Sequence, residues 1–145
     1  MKAFKYLMVF IFLNASIICL AQQESTPSDE VIVHDPVSIK SNGKYYLFCT
    51  GRGIAMFSSE DLEEWKREAP VFSKKPEWTD SVVPNFGNHI WAPDITEFEG
   101  SFYLYYSVSA FAKNTSAIGL AINKTLDVDS PDYKWEDQGI VIESI

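Results

Sequence analysis

A short segment, Val33-His34-Asp35-Pro36, carries a carboxylate from a β-branched run straight into a proline. β-Branched residues favour extended backbone, so a strand is expected to deliver Asp35 to its end, fixed and partly exposed. A carboxylate held that way can act as a general base and take a proton from an attacking water. The same residues also suit a plain Asp-Pro turn, and these four residues by themselves leave both readings open.

A second segment, Asn88-His89-Ile90-Trp91-Ala92-Pro93-Asp94, adds an aromatic ring and another acid. The face of Trp91 could stack on the C–H surface of a sugar ring, or the indole could simply fill a core. Phe111 and Ala112 fall in a long polar-flanked loop, the kind of segment that carries ligand contacts on a rigid scaffold. Neither His34 nor His89 has cysteine or carboxylate partners at ligand spacing, so no metal site is expected from them. Cys49 lies in the apolar run Tyr45-Tyr46-Leu47-Phe48-Cys49 with no basic neighbour. It reads as a buried structural thiol rather than a nucleophile. Trp65, Trp78 and Trp135 have no motif around them and read as packing residues. Asn114-Thr115-Ser116 and Asn123-Lys124-Thr125 match glycosylation acceptors and are read as accidental matches.

The elements that must position these residues are strands. Val31-Ile32-Val33 and Val37-Ser38-Ile39 are short extended runs. Asn42-Gly43 supplies the positive φ angles of a tight hairpin. Tyr45–Thr50 returns, Ile54–Ser58 follows, and Asp61–Trp65 turns the chain into a last short strand near Trp65–Arg67. No stretch sustains the 3.6-residue period of an amphipathic helix, and Glu60–Lys66 is too short for one. The order then recurs. Pro93–Gly100 parallels Pro36–Gly43, Phe102–Ser107 parallels Tyr45–Thr50, and Ile118–Ala121 parallels Ile54–Phe57. A four-stranded unit recurring at roughly 60 residues marks a propeller blade, somewhat longer than common blade repeats. Propellers close with about 4–8 blades. Two units would fill residues 31–145, so the sequence is expected to be the N-terminal part of a longer propeller. A complete small β-sandwich is the competing architecture.

Lys2 and Lys5 precede an apolar run from Tyr6 to Leu20, and Ala21 precedes the polar Gln22. That order predicts a cleavable signal peptide over residues 1–21, followed by a polar linker over residues 22–30. The run is shorter than the ~20 residues that span a bilayer. A secreted chain, extracellular or periplasmic, is therefore expected, with no membrane association after cleavage. The net charge is −8, and loss of Lys2 and Lys5 makes the remainder more acidic. Such a chain is a poor nucleic-acid partner, because phosphates call for a basic surface. A neutral polymer is the natural substrate class.

Val33–Pro36 and Asn88–Asp94, at the openings of the two units, resemble glycoside hydrolase family 43. The stretch from Tyr105 through Phe111, Ala112 and Asn114 to Ala121 is similar to the endo-arabinanase branch of that family. The similarity runs over roughly Val31–Ile142. It implies an all-β, five-bladed β-propeller, of which this chain holds about the first two blades. It also implies endo-hydrolysis of α-1,5-linked arabinan or arabino-oligosaccharide with inversion, by a monomer when full length. Asp35 maps to the general base. His34, Trp91, Asp94, Phe111 and Ala112 map to the substrate cleft. In the arabinanase relatives a glycine usually stands at the position of Ala112.

The family's second aspartate and its general-acid glutamate belong to later blades, so the fragment alone is expected to be inactive. Asp94 and Glu143 are not substitutes for them. No cofactor is expected in this part of the chain. The resemblance allows a calcium ion on the axis of the intact propeller, with its ligand supplied from elsewhere. Two rival readings remain: an exo-acting arabinofuranosidase or β-xylosidase of the same family, and a non-catalytic arabinan-binding propeller.

Overall fold

The computed structural model describes residues 30–144. The expected signal peptide and all of the linker except Glu30 lie outside the described residues. Among the described residues the fold is all-β apart from one helical turn, α1 (Thr79–Val82). No helix among them is long and apolar enough to cross a membrane.

The first sheet is a meander of β1 (Val37–Ser41), β2 (Lys44–Cys49), β4 (Ala55–Ser59) and β5 (Lys66–Arg67), in that order. Its hairpin sets Ser41 opposite Lys44. Asn42 at φ 50° and Gly43 at φ 85° make the turn, the left-handed pair that a two-residue hairpin requires. The second sheet runs β3-β6-β7-β8-β9. Its strands are β3 (Gly51–Arg52), β6 (His89–Phe98), β7 (Ser101–Ser109), β8 (Ser116–Asn123) and β9 (Glu136–Glu143). The same turn recurs at Glu99 and Gly100, with φ of 49° and 73°. These two sheets are consecutive blades of a β-propeller, as the sequence repeat implies, and the five-bladed form is the one the family resemblance implies.

One core spans both sheets. It includes Phe48 and Met56 of the first and Ile90, Leu104 and Tyr106 of the second. Phe48, Ile90 and Leu104 are fully buried, and each such side chain contributes roughly 1.5–3 kcal/mol by leaving water. Specific contacts fix the angle between the sheets. Trp135 meets Phe48 edge-on at 5.9 Å between ring centres. The Tyr133 hydroxyl reaches Met56 Sδ at 3.3 Å and accepts from Trp135 Nε1 at 3.2 Å. Trp65, Trp78 and Trp135 thus pack as expected. Asn123 is 2% exposed and accepts backbone N–H groups from Thr125 and Lys134, so it serves a turn.

Two expectations need correction. Val31–Val33 is not a strand. Val31 and Val33 pack with Leu47 and Trp65 on the small cluster of Cys49, Ala55 and Phe57. Side-chain packing, rather than a hydrogen-bond ladder, holds the run in place. The third strand of the first blade begins at Ala55 rather than Ile54, because Ile54 sits at φ 64°. The Asp61 turn forms as expected. The Asp61 carboxylate accepts the N–H groups of Glu63 and Glu64 at 2.8 and 2.9 Å, and these bonds hold the carboxyl below its ordinary value.

Candidate active site

Asp35 lies in the coil that leads into β1, at φ 50°. Aspartate tolerates that left-handed geometry better than most residues. Its carboxylate is 40% exposed. His34 Nδ1 lies 2.7 Å from Asp35 Oδ2, a bond the ring makes when Nδ1 carries its proton. The Thr50 hydroxyl donates to the same Oδ2 at 2.8 Å. Oδ1 has no partner among the described residues. The Thr50 N–H donates to the His34 carbonyl at 3.0 Å, so the end of β2 anchors this coil.

Beyond Thr50 the network enters the second blade. The Ala92 N–H donates to Thr50 Oγ1 at 2.8 Å. That N–H is available because the β6–β7 register shifts between Trp91 and Asp94. Trp91 faces Ser107 and Asp94 faces Tyr105, so Ala92 and Pro93 together oppose Tyr106 alone, as in a β-bulge. Ala92 sits at φ 40°, a costly value for a residue with a Cβ.

Trp91, one residue before, packs edge-on against His89 at 4.6 Å between ring centres. Both line a cavity of about 290 Å³ with Phe86, Ser109, Ala110 and Phe111. Phe111 is 90% exposed, so its ring is open to solvent where it lines the cavity. Ala112 follows at φ 58°, which is why glycine suits that position. A polar clamp holds the loop beneath this cavity. Asp80 Oδ1 accepts from Lys75 Nζ at 2.7 Å and from the Phe86 N–H at 3.2 Å. The Lys75 ammonium holds the Asp80 carboxyl below its ordinary value.

The structure therefore brings His34 and Asp35 together and joins them through Thr50 to the backbone beside Trp91. It places Trp91 and Phe111 on one cavity wall. Asp94 is exposed on β6 past the bulge, and its carboxylate has no partner among the described residues. No bond joins Asp94 or Ala112 to Asp35. Thr50 carries no motif, and its role was not legible in the sequence. The bulge at Ala92 is equally silent, although Pro93, which cannot donate to a ladder, marks an irregular position. Cys49 is buried. Burial pushes its thiol up, against a smaller lowering by a hydrogen bond with the His34 backbone, as suits a structural residue. No group of three or more His, Cys, Asp or Glu side chains is placed to hold a metal ion among the described residues.

The two blades thus hold a fixed acid at the first unit's opening and an aromatic-lined cavity at the second's. Residues 26–144 match the glycosyl hydrolases family 43, and the chain belongs to that family. It is 51% identical over 140 residues to an extracellular exo-α-(1→5)-L-arabinofuranosidase, ArbA, of Cellvibrio japonicus. That alignment covers 97% of this chain and 38% of the relative. Identity to the extracellular endo-α-(1→5)-L-arabinanase 1 of Bacillus subtilis is 39%, over 78% of this chain and 35% of that one. Among solved structures, the Cellvibrio cellulosa α-L-arabinanase complexed with arabinohexaose superposes with a TM-score of 0.78 at 55% identity. The match covers 80% of this chain and 37% of that one. The chain thus spans less than two-fifths of the length of these relatives.

Proposed function

We propose that the whole protein is a secreted glycosidase that hydrolyses α-1,5-linked arabinan with inversion, and that Asp35 is its general base. The observation that carries this reading is the asymmetry of the Asp35 carboxylate. Among the described residues both hydrogen bonds to the carboxylate fall on Oδ2, which fixes the group and leaves Oδ1 open to accept a proton from water. Trp91 and Phe111 supply aromatic surface for furanose rings, and Asp94 an exposed acceptor for hydroxyls. The arabinohexaose complex of a 55%-identical relative supports the substrate class, and the relatives named as extracellular support secretion. An inverting site needs its acid about 6.5–9.5 Å from the base, with room for water between them. That acid, and the ligands of any axial ion, would come from outside residues 30–144. The whole protein would act as a monomer.

Where the polymer is cut is a finer matter. The loop sequence around Phe111 supports internal cleavage. Greater identity to the relative named as exo-acting supports a second reading, release from a chain end. Debranched arabinan digested by the full-length protein separates them: early oligosaccharides of mixed length mean internal cuts, and one short product from the start means chain-end release.

The reading of Asp35 is tested in the full-length protein by Asp35→Asn. Hydrolysis should fall by at least ~10²-fold, the scale of lost general-base assistance, while arabino-oligosaccharide binding persists. Near-normal turnover would remove Asp35 from the mechanism. Proton NMR of the first sugars released should show an inverted anomeric configuration; retention would require a carboxylate nucleophile instead.

A further inference from the structure

We infer that Thr50 is a positioning residue for Asp35 and ties the reacting carboxylate to the neighbouring blade. The inference deepens the proposal above and rests on Asp35 being the base. Proton bookkeeping at the hydroxyl carries it. The Ala92 N–H can only donate, and it is 2.8 Å from Thr50 Oγ1. The oxygen therefore accepts there, and its own proton goes to the other neighbour, Asp35 Oδ2, at 2.8 Å. An ionised carboxylate accepts only, so the three groups form a directed chain from the β6 backbone to the carboxylate. Thr50 also grips the same coil through its own N–H, which donates to the His34 carbonyl. Asp35 and Ala92, the residues at the two ends of the chain, are both non-glycine residues at positive φ. Backbone held in such sparsely populated regions persists where its surroundings over-determine it, and it clusters at working sites.

This placement does more than stabilise a turn. Because the hydroxyl occupies Oδ2, the carboxylate is presented to water through Oδ1. The Ala92 bond sets Asp35 in register with the bulge that orients Trp91. A shift of Trp91 would thus be felt at the carboxylate, and the reverse. Thr50 touches neither sugar nor water in this scheme, so it acts on turnover rather than on binding.

The test compares Thr50→Val, which keeps the shape and loses the hydroxyl, with Thr50→Ser, which keeps the hydroxyl, both in the full-length protein. Valine should lower kcat by about 10–100-fold, the range for lost outer-shell support and small misplacements, with KM within about twofold. Serine should bring kcat back to within about threefold of the parent. Added to Asp35→Asn, Thr50→Val should cost nothing more, since groups that act as a unit are not additive. Parental kcat in Thr50→Val, no rescue by serine, or a further multiplicative loss on Asp35→Asn would each overturn the inference. If Thr50→Val does not fold, as judged by circular dichroism, Thr50→Ala carries the same comparison at reduced temperature. An active Asp35→Asn protein would sink the general-base reading itself. An inactive one beside a fully active Thr50→Val would sink the positioning role alone.

Discussion

Gly119 on β8 lies against the ring of Tyr106 on β7 with no room for a side chain between them. A methyl group on Gly119 would stand 2.5 Å from Tyr106 Cζ and 2.7 Å from Trp78 Cζ2. Neither ring is free to retreat. The Tyr106 hydroxyl donates to Asp137 Oδ1 at 2.5 Å, and Trp78 Nε1 donates to Asp137 Oδ2 at 3.1 Å. Gly119→Ala should therefore destabilise the protein by about 1–3 kcal/mol, the range for overpacking a fixed core. Urea unfolding of the full-length variant checks this, and an unchanged midpoint would show that the rings can yield.

Alkaline pH should unsettle the same cluster. Burial first, and then the Asp137 carboxylate, hold the Tyr106 phenol far above its ordinary value. Burial also raises Tyr46 and Tyr133. In the unfolded chain these phenols titrate near the usual ~10. Their folded values are raised, so the unfolded state loses its protons first as pH rises. The stability they contribute is intact below about pH 10 and is lost progressively above it. Thermal midpoints should therefore decline above about pH 10, less steeply for Tyr106→Phe than for the parent. Equal slopes in the two proteins would show that Tyr106 does not contribute.

Ala112 gives a prediction of opposite sign. It holds φ 58° with a side chain exposed to solvent, and left-handed backbone costs an alanine about 1–2 kcal/mol. Glycine removes that strain and adds some entropy to the unfolded chain. Ala112→Gly should raise stability by a net ~0.5–1 kcal/mol, seen as a higher thermal midpoint. A lower midpoint would mean that the methyl group makes a contact worth more than the strain.

The outer strand β9 predicts the behaviour of this chain when expressed by itself. Ile140, Val141 and Ile142 are 40%, 55% and 63% exposed, on a strand that among the described residues pairs on its β8 side alone. An apolar edge of that kind templates pairing with another chain. Residues 22–145 should self-associate in size-exclusion chromatography, and Val141→Lys should shift the distribution toward monomer. A parent that elutes as a monomer with one cooperative unfolding transition would refute this.

Much of this architecture was legible because its signals are local. Asn42-Gly43 announces a hairpin by turn chemistry alone, and the parallel with Glu99-Gly100 exposes the repeat. The Val31–Val33 strand failed for a physical reason: β-branched residues satisfy an extended backbone whether or not a partner strand is present, and here packing on Cys49 and Phe57 takes the partner's place. Asp35, Trp91 and Phe111 stood out through motif and resemblance. Thr50 did not, since a threonine ending a strand is ordinary until its hydroxyl is seen between Asp35 and Ala92. The bond that ties Thr50 to Ala92 spans 42 positions in sequence, and no local pattern records it.

The short strand β3 makes the sequence repeat and the sheets fall out of step. Gly51 and Arg52 belong to the first unit by sequence, yet they pair with Ile90 and His89 as the first, edge strand of the second sheet. Any chimera that joins the first unit of one relative to the second of another at the intervening loop would therefore carry a foreign edge strand into a native blade. Thr50, next in line, would travel with it. Grafting blades in this family is then a problem of matching β3 to β6 before any surface loop is considered.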